Sequence, residues 1–113
     1  MEAPFKGILI EESLDDPRIL NLISISKVRI TSDNPLDRWH IYTLKATKEE
    51  INNLSNHIKQ GWYMHFWRGT EVIVIFNGQR FEFRKSDKSA WQSVTNYGLF
   101  VGIPREQLDF PMG

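Results

Sequence analysis

Apolar and polar positions along this chain repeat with two periods, close to two in some stretches and close to four in others. Residues 7–11 (Gly-Ile-Leu-Ile-Glu) form a short apolar run that reads as a strand. Ser13, Asp15 and Asp16 gather ahead of Pro17, and a capping residue before a proline at the first helical position predicts a short helix through about Leu22. Residues 23–31 are rich in β-branched side chains. Their phase slips, with Ile23 and Ile25 on one face and Val28 and Ile30 on the other, which predicts a bulge near Ser26-Lys27. Ser32-Asp33-Asn34-Pro35 is a turn cluster, and residues 38–45, with Trp39, His40, Ile41 and Tyr42, read as a third strand. Thr47-Lys48-Glu49-Glu50 then matches a capping box, in which the hydroxyl and the carboxylate each satisfy an otherwise unpaired amide. Ile51, Leu54 and Ile58 follow at helical spacing, with Gly61 placed to close the helix.

Three tightly joined strands come next. Residues 62–68 and 71–76 flank Gly69-Thr70, and Phe76 and Gln79 flank Asn77-Gly78, both suited to two-residue hairpin loops. Ser86 or Asp87 caps a last helix with Trp91, Val94 and Tyr97, closed by Gly98. The remainder, through Phe110, reads as a short strand plus a turn. The order β-α-β-β-α-β-β-β-α predicts a single α+β domain over residues 1–113. Its sheet is mostly antiparallel with the helices packed on one face, and a ferredoxin-like variant is the first topology to test.

The tight turns set the register. Trp67 should oppose Val72, His65 oppose Val74, Val74 oppose Phe81 and Val72 oppose Phe83. One face then carries Tyr63, His65, Trp67, Val72, Val74, Phe76, Phe81 and Phe83, and is expected to take the helices. The other carries Trp62, Met64, Phe66, Ile73 and Ile75. An antiparallel sheet with one wet face alternates cleanly; this one does not. With the helices assigned to the first face, these five residues are the candidate pocket or interface, and closed two-fold dimers are the commonest way to cover such a patch.

Composition narrows the chemistry. Lys plus Arg and Asp plus Glu number 14 each, so the formal net charge is zero, which argues against nucleic acid as the main partner. Aromatic strands can stack on bases, but the glycine-aromatic signature of RNA-recognition modules is missing. There is no Cys, which removes disulfides, thiolate chemistry and Cys-based zinc sites. No apolar run approaches the ~20 residues of a membrane helix, and the start lacks a signal-peptide pattern, so a soluble cytoplasmic protein is expected. His65 lies on the expected core face and reads as a structural histidine, while His57 reads as solvated. Glu11, His40 and His65 are the candidate polar pocket residues. A metal site would have to draw on His40, His65, Glu11, Glu12 or Asp109, and none of the usual ligand spacings occurs, so no metal is expected. No phosphate-cradling glycine loop or nucleophile elbow occurs, and no cofactor is expected. The acidic group Glu11, Glu12, Asp15 and Asp16 reads first as stabilisation of the following helix start, because neighbouring strand residues point to opposite faces.

Gly7-Ile8-Leu9-Ile10-Glu11-Glu12-Ser13-Leu14, Tyr97-Gly98, Gly102-Ile103-Pro104 and Gln107-Leu108-Asp109-Phe110 resemble a family of small uncharacterised prokaryotic proteins of unknown function. The resemblance spans nearly the whole chain. It implies a complete protein and brings no activity and no catalytic residues with it. On the residues alone, the leading expectation is a non-enzymatic binding or interaction protein that self-associates, or meets a protein partner, through the apolar sheet face. The alternative is a small enzyme or ligand-binding domain whose aromatic-lined pocket takes a small apolar ligand and uses His40, His65 or Glu11. The sequence names neither the ligand nor the reaction.

Overall fold

A computed structural model describes residues 4–31, Asn34, Leu36, residues 38–108 and Phe110. Six strands form one antiparallel sheet: β1 (Phe5–Ile10), β2 (Ser24–Ile30), β3 (His40–Ala46), β4 (Tyr63–Arg68), β5 (Glu71–Phe76) and β6 (Gln79–Arg84). Two α-helices accompany them, α1 (Lys48–Ser55) and α2 (Lys88–Phe100). Three short 3₁₀ segments complete the described fold, at Glu11–Ser13, Pro17–Leu22 and Arg105–Gln107. The element order is the one the sequence pattern predicts, and the fold is α+β. The strand order is β2-β3-β1-β4-β5-β6. Its first four strands, β2-β3-β1-β4, are all antiparallel, with β1 inserted between the partners of two crossovers. This is the split βαβ arrangement of a ferredoxin-like sheet, lengthened by the β5–β6 hairpin.

Local chemistry accounts for most boundaries. Thr47 accepts from the Glu50 amide at 3.1 Å while the Glu50 carboxylate accepts from the Thr47 amide at 2.9 Å, so the capping box closes. Asp16 accepts from the Arg18 amide ahead of Pro17, starting the 3₁₀ crossover between β1 and β2. The register of β2 against β3 shifts between Ile25 and Lys27, where the phase slip predicts a bulge. All four cross-strand pairs anticipated for β4, β5 and β6 occur. The turn at Ser32-Asp33-Asn34-Pro35 lies, Asn34 apart, outside the described residues.

Two helix ends differ from expectation. α1 stops at Ser55, short of Ile58 and Gly61. Asn and Ser dominate its last turn and compete for backbone hydrogen bonds. The chain beyond pairs instead with the segment after β1: the Asp15 amide donates to the His57 carbonyl at 2.8 Å and the Lys59 amide to the Ser13 carbonyl at 2.7 Å. α2 runs through Gly98 to Phe100 and is closed by Gly102 at φ 93°. Gly98 serves packing: a Cβ there would lie 2.7 Å from a Leu108 methyl. Past α2, Arg105–Gln107 form a 3₁₀ turn where a short strand was expected.

The main correction concerns the sheet faces. The 3₁₀ crossover and α1 lie on one face, over Phe5, Leu9, Leu44, Met64, Phe66, Ile73 and Ile75. α2 and the C-terminal segment lie on the other, over Val72, Val74, Phe76, Phe81 and Phe83. The helices therefore divide between the two faces instead of sharing one. Met64, Phe66, Ile73 and Ile75 are each at most 2% exposed inside the chain's own core. Neither a partner nor a ligand can reach these four residues, and both faces are apolar because both are covered. Trp62, the fifth, is half-buried at the end of the sheet.

Candidate functional site

Two constellations stand out, on opposite sides of the end of the sheet where β1 finishes. In the first, His40 and Tyr42 occupy alternate positions on β3 and so share a face. β1 ends at Ile10, which pairs with Ile41. The chain then turns through the 3₁₀ segment Glu11–Ser13, pinned where the Ser13 hydroxyl donates to the Ile10 carbonyl at 2.6 Å. This turn brings both carboxylates to β3, so the opposite-face argument for adjacent strand residues does not apply. Glu12 accepts from the His40 amide at 2.7 Å and bonds His40 Nδ1 at 2.8 Å. The Tyr42 hydroxyl donates to Glu11 at 2.7 Å.

The electrostatics follow from these contacts. Burial pushes the Glu12 carboxyl up, but its bonds from the His40 amide and ring outweigh this and hold it below the ordinary range. The hydrogen bond to Glu12 holds the His40 imidazole above its ordinary range, against desolvation. Tyr42 is pushed up to about 12, first by its bond to Glu11 and then by burial. Glu11, Glu12 and His40 each present a ligand atom, all within 4.8 Å of one another. Three of the five residues weighed for a metal thus converge. His65 lies on the other face, and Asp109 is outside the described residues. Both Glu12 oxygens are engaged by His40, so the set as it stands is an internally satisfied pair tying the end of β1 to β3.

Acidic residues were expected to stabilise the helix start instead. Asp16 does so, and its carboxyl is lowered to about 2 by the Arg18 guanidinium at 2.8 Å. Asp15 bonds His57 Nδ1 at 2.9 Å. His57 lies beyond α1, half-buried and paired with that carboxylate, where a solvated helical residue was expected.

The second constellation is a cleft of about 290 Å³ on the α2 face. α2 covers the β5–β6 half of that face, leaving β1 and β3 partly open. Ile8, Ile10 and Ile41 form an apolar floor. Ile8 pairs with His65 and Ile10 with Ile41, so these side chains stand together. Trp39 and Trp62 precede β3 and β4 at the same end of the sheet, with their rings edge to face at 5.4 Å. Arg29, paired with Ile41, stands on the β2 side. Opposite it, Ile103, Glu106 and Gln107 form a wall fastened where the Tyr63 hydroxyl donates to the Gln107 carbonyl. His65 lines the cleft but is only 2% exposed, stacked on Trp67 at 5.4 Å and edge to face with Phe110 at 5.8 Å.

Of the sequence-derived candidates, Glu11 and His40 come together, while His65 and Trp62 line the separate cleft. Sequence reasoning missed Tyr42 and Arg29 as site residues, and weighed Glu12 only as a metal ligand and as part of the acidic group. Tyr42 had a usable signal, its two-residue offset from His40; Arg29 had none without the β2–β3 register. Among the described residues, no helix is long and apolar enough to cross a membrane. No protein-family model, curated protein or solved structure matches the chain.

Proposed function

We propose that this protein is a small-ligand-binding domain that takes an apolar, flat molecule into the cleft over β1 and β3. The observation that carries this reading is the cleft itself: an isoleucine floor and tryptophan walls left open on a sheet whose apolar positions on β5 are all buried. Ligand sites are concave, mostly apolar and equipped with a few polar groups. Residues 8–10 and Ile103, Glu106 and Gln107, distant in sequence, meet there. The test is calorimetric titration with indole and naphthalene, read against Ile41→Trp, which fills the floor. Saturable binding lost in Ile41→Trp, with the thermal midpoint retained, supports the reading. Absence of binding to either probe, or equal binding to the variant, refutes it.

A second reading keeps self-association but moves it. Leu22, Ile25, Val28 and Ile30 are exposed large apolar residues, the first just before the edge strand β2 and the other three on it. Edge strands template pairing with another chain. Lys27 and Arg29 on the same strand oppose pairing with a second copy of itself, which places this reading behind the cleft. Light scattering that finds a dimer dissociated by Val28→Lys supports it, and a monomer across the accessible concentration range excludes it.

A further inference from the structure

We infer that the cleft selects a small aromatic monocarboxylate, with Arg29 as the residue that recognises the acid group. The inference rests on the cleft reading above and adds the charge of the ligand to it.

Arg29 stands beside Ile41 at the edge of the apolar floor. Its guanidinium has no ion pair or hydrogen bond to a described residue, whereas Arg18 and Arg68 are each paired with a carboxylate. A guanidinium presents a planar fork of donors matched to a carboxylate, and charge-assisted bonds of this kind strengthen beside apolar surface. The indole N–H groups of Trp39 and Trp62 also lack a protein acceptor among the described residues. The indole of Trp91, by contrast, donates to the Lys85 carbonyl at 2.7 Å. Two of the side chains that line the cleft thus carry N–H donors that the described residues leave unused.

Glu106 sets the limit on charge. It lines the wall away from β2, next to Gln107, whose carbonyl accepts from Tyr63 on β4, with β3 and β1 lying between that strand and Arg29's. It too has no partner among the described residues. A ligand carrying one carboxylate at Arg29 presents its apolar body to the floor. A second carboxylate directed at the far wall meets Glu106 and is repelled. A volume of about 290 Å³ sits at the lower end of ligand sites and suits one or two fused rings.

The experiment is titration calorimetry at low salt with indoleacetate, its neutral isostere indoleacetamide, the cation tryptamine and naphthalene dicarboxylate. Indoleacetate should bind at least about tenfold more tightly than the amide, in the range a charge-assisted bond supplies, and tryptamine most weakly of the three indoles. Arg29→Gln should erase the preference for acid over amide, and Glu106→Gln should strengthen dicarboxylate binding. Both side chains are exposed, so circular dichroism and thermal midpoints should match the unmodified protein. Equal binding of acid and amide, or a preference that survives Arg29→Gln, overturns the inference while leaving the cleft reading intact. Tightest binding of tryptamine overturns it as well. If none of the four probes binds, the inference falls together with the cleft.

Discussion

Gly7 and Phe66 face each other across β1 and β4, and the pair tests whether the apolar face of β4 belongs to the chain's own core. Phe66 is fully buried. A Cβ on Gly7 would lie 2.6 Å from Phe66 Cε1 and closer still to Cδ1, so the ring occupies the space the glycine leaves. Removing a buried phenylalanine ring costs about 3–5 kcal/mol. That is a large part of the 5–15 kcal/mol typical of a whole domain. At roughly 4 °C per kcal/mol for a chain of this size, the thermal midpoint of Phe66→Ala should fall by about 12–20 °C. Gly7→Ala forces the ring aside and should cost about 1–3 kcal/mol as overpacking. In the Phe66→Ala background the ring is gone, leaving the His65 carbonyl oxygen 3.2 Å from the new Cβ. The same Gly7→Ala change should then be close to neutral, the gain of about 0.5 kcal/mol from alanine's smaller loss of backbone freedom offsetting that contact. Urea unfolding of the four proteins gives the coupling between the two sites, expected to exceed about 1 kcal/mol. A Gly7→Ala effect of equal size in both backgrounds refutes the packing. So does a Phe66→Ala protein that melts normally but changes its mass in solution, the behaviour of an interface residue.

Other consequences are simpler to measure. Thr47→Ala removes one half of the capping box and should lower stability by about 1 kcal/mol in a denaturant melt; an unchanged melt shows that the cap carries no weight. The His40 imidazole, raised in the folded chain, contributes stability fully present below its unfolded value near 6.5 and lost as pH rises through the higher folded value. Glu12, lowered, contributes stability present above 4.5 and lost as pH falls through its folded value. The pair should therefore help most between these two unfolded values, and Glu12→Gln should return the His40 NMR titration towards the ordinary histidine range; a midpoint that does not move removes the pairing. Tyr42, pushed up to about 12, should remain protonated by ultraviolet absorbance through pH 11, and Glu11→Gln should lower its midpoint; an ordinary titration near 10 denies the Glu11 bond.

Elements with local punctuation were legible in the sequence. Thr47 to Glu50, Asp16-Pro17 and the two-residue loops at Gly69-Thr70 and Asn77-Gly78 set their own geometry, and the loops carried the register of three strands with them. What could not be read was where non-local segments pack. The pattern shows that both faces of β4 and β5 are apolar, but not which helix each face receives. Assigning the helices to one face made Met64, Phe66, Ile73 and Ile75 look unpartnered, although α1 and the 3₁₀ crossover bury them. The acid–imidazole cluster was hidden for a similar reason. Glu11 and Glu12 looked divergent while treated as strand residues, and a 3₁₀ turn at the end of β1 makes them converge on β3. Trp62, drawn into the expected interface, belongs to the wall of a cleft whose floor comes from β1 and β3 and whose far side comes from the C-terminal segment.

The cleft over β1 and β3 is the centre of this account, and backbone amide NMR during titration with indoleacetate tests it most directly. Amides of Ile8, Ile10, Ile41, His65 and Ile103 should shift together along one saturable curve, while those of Ile51, Leu54 and Ile73 on the α1 face stay still. Shifts confined to β2, or to the α1 face, or spread without saturation, would contradict it.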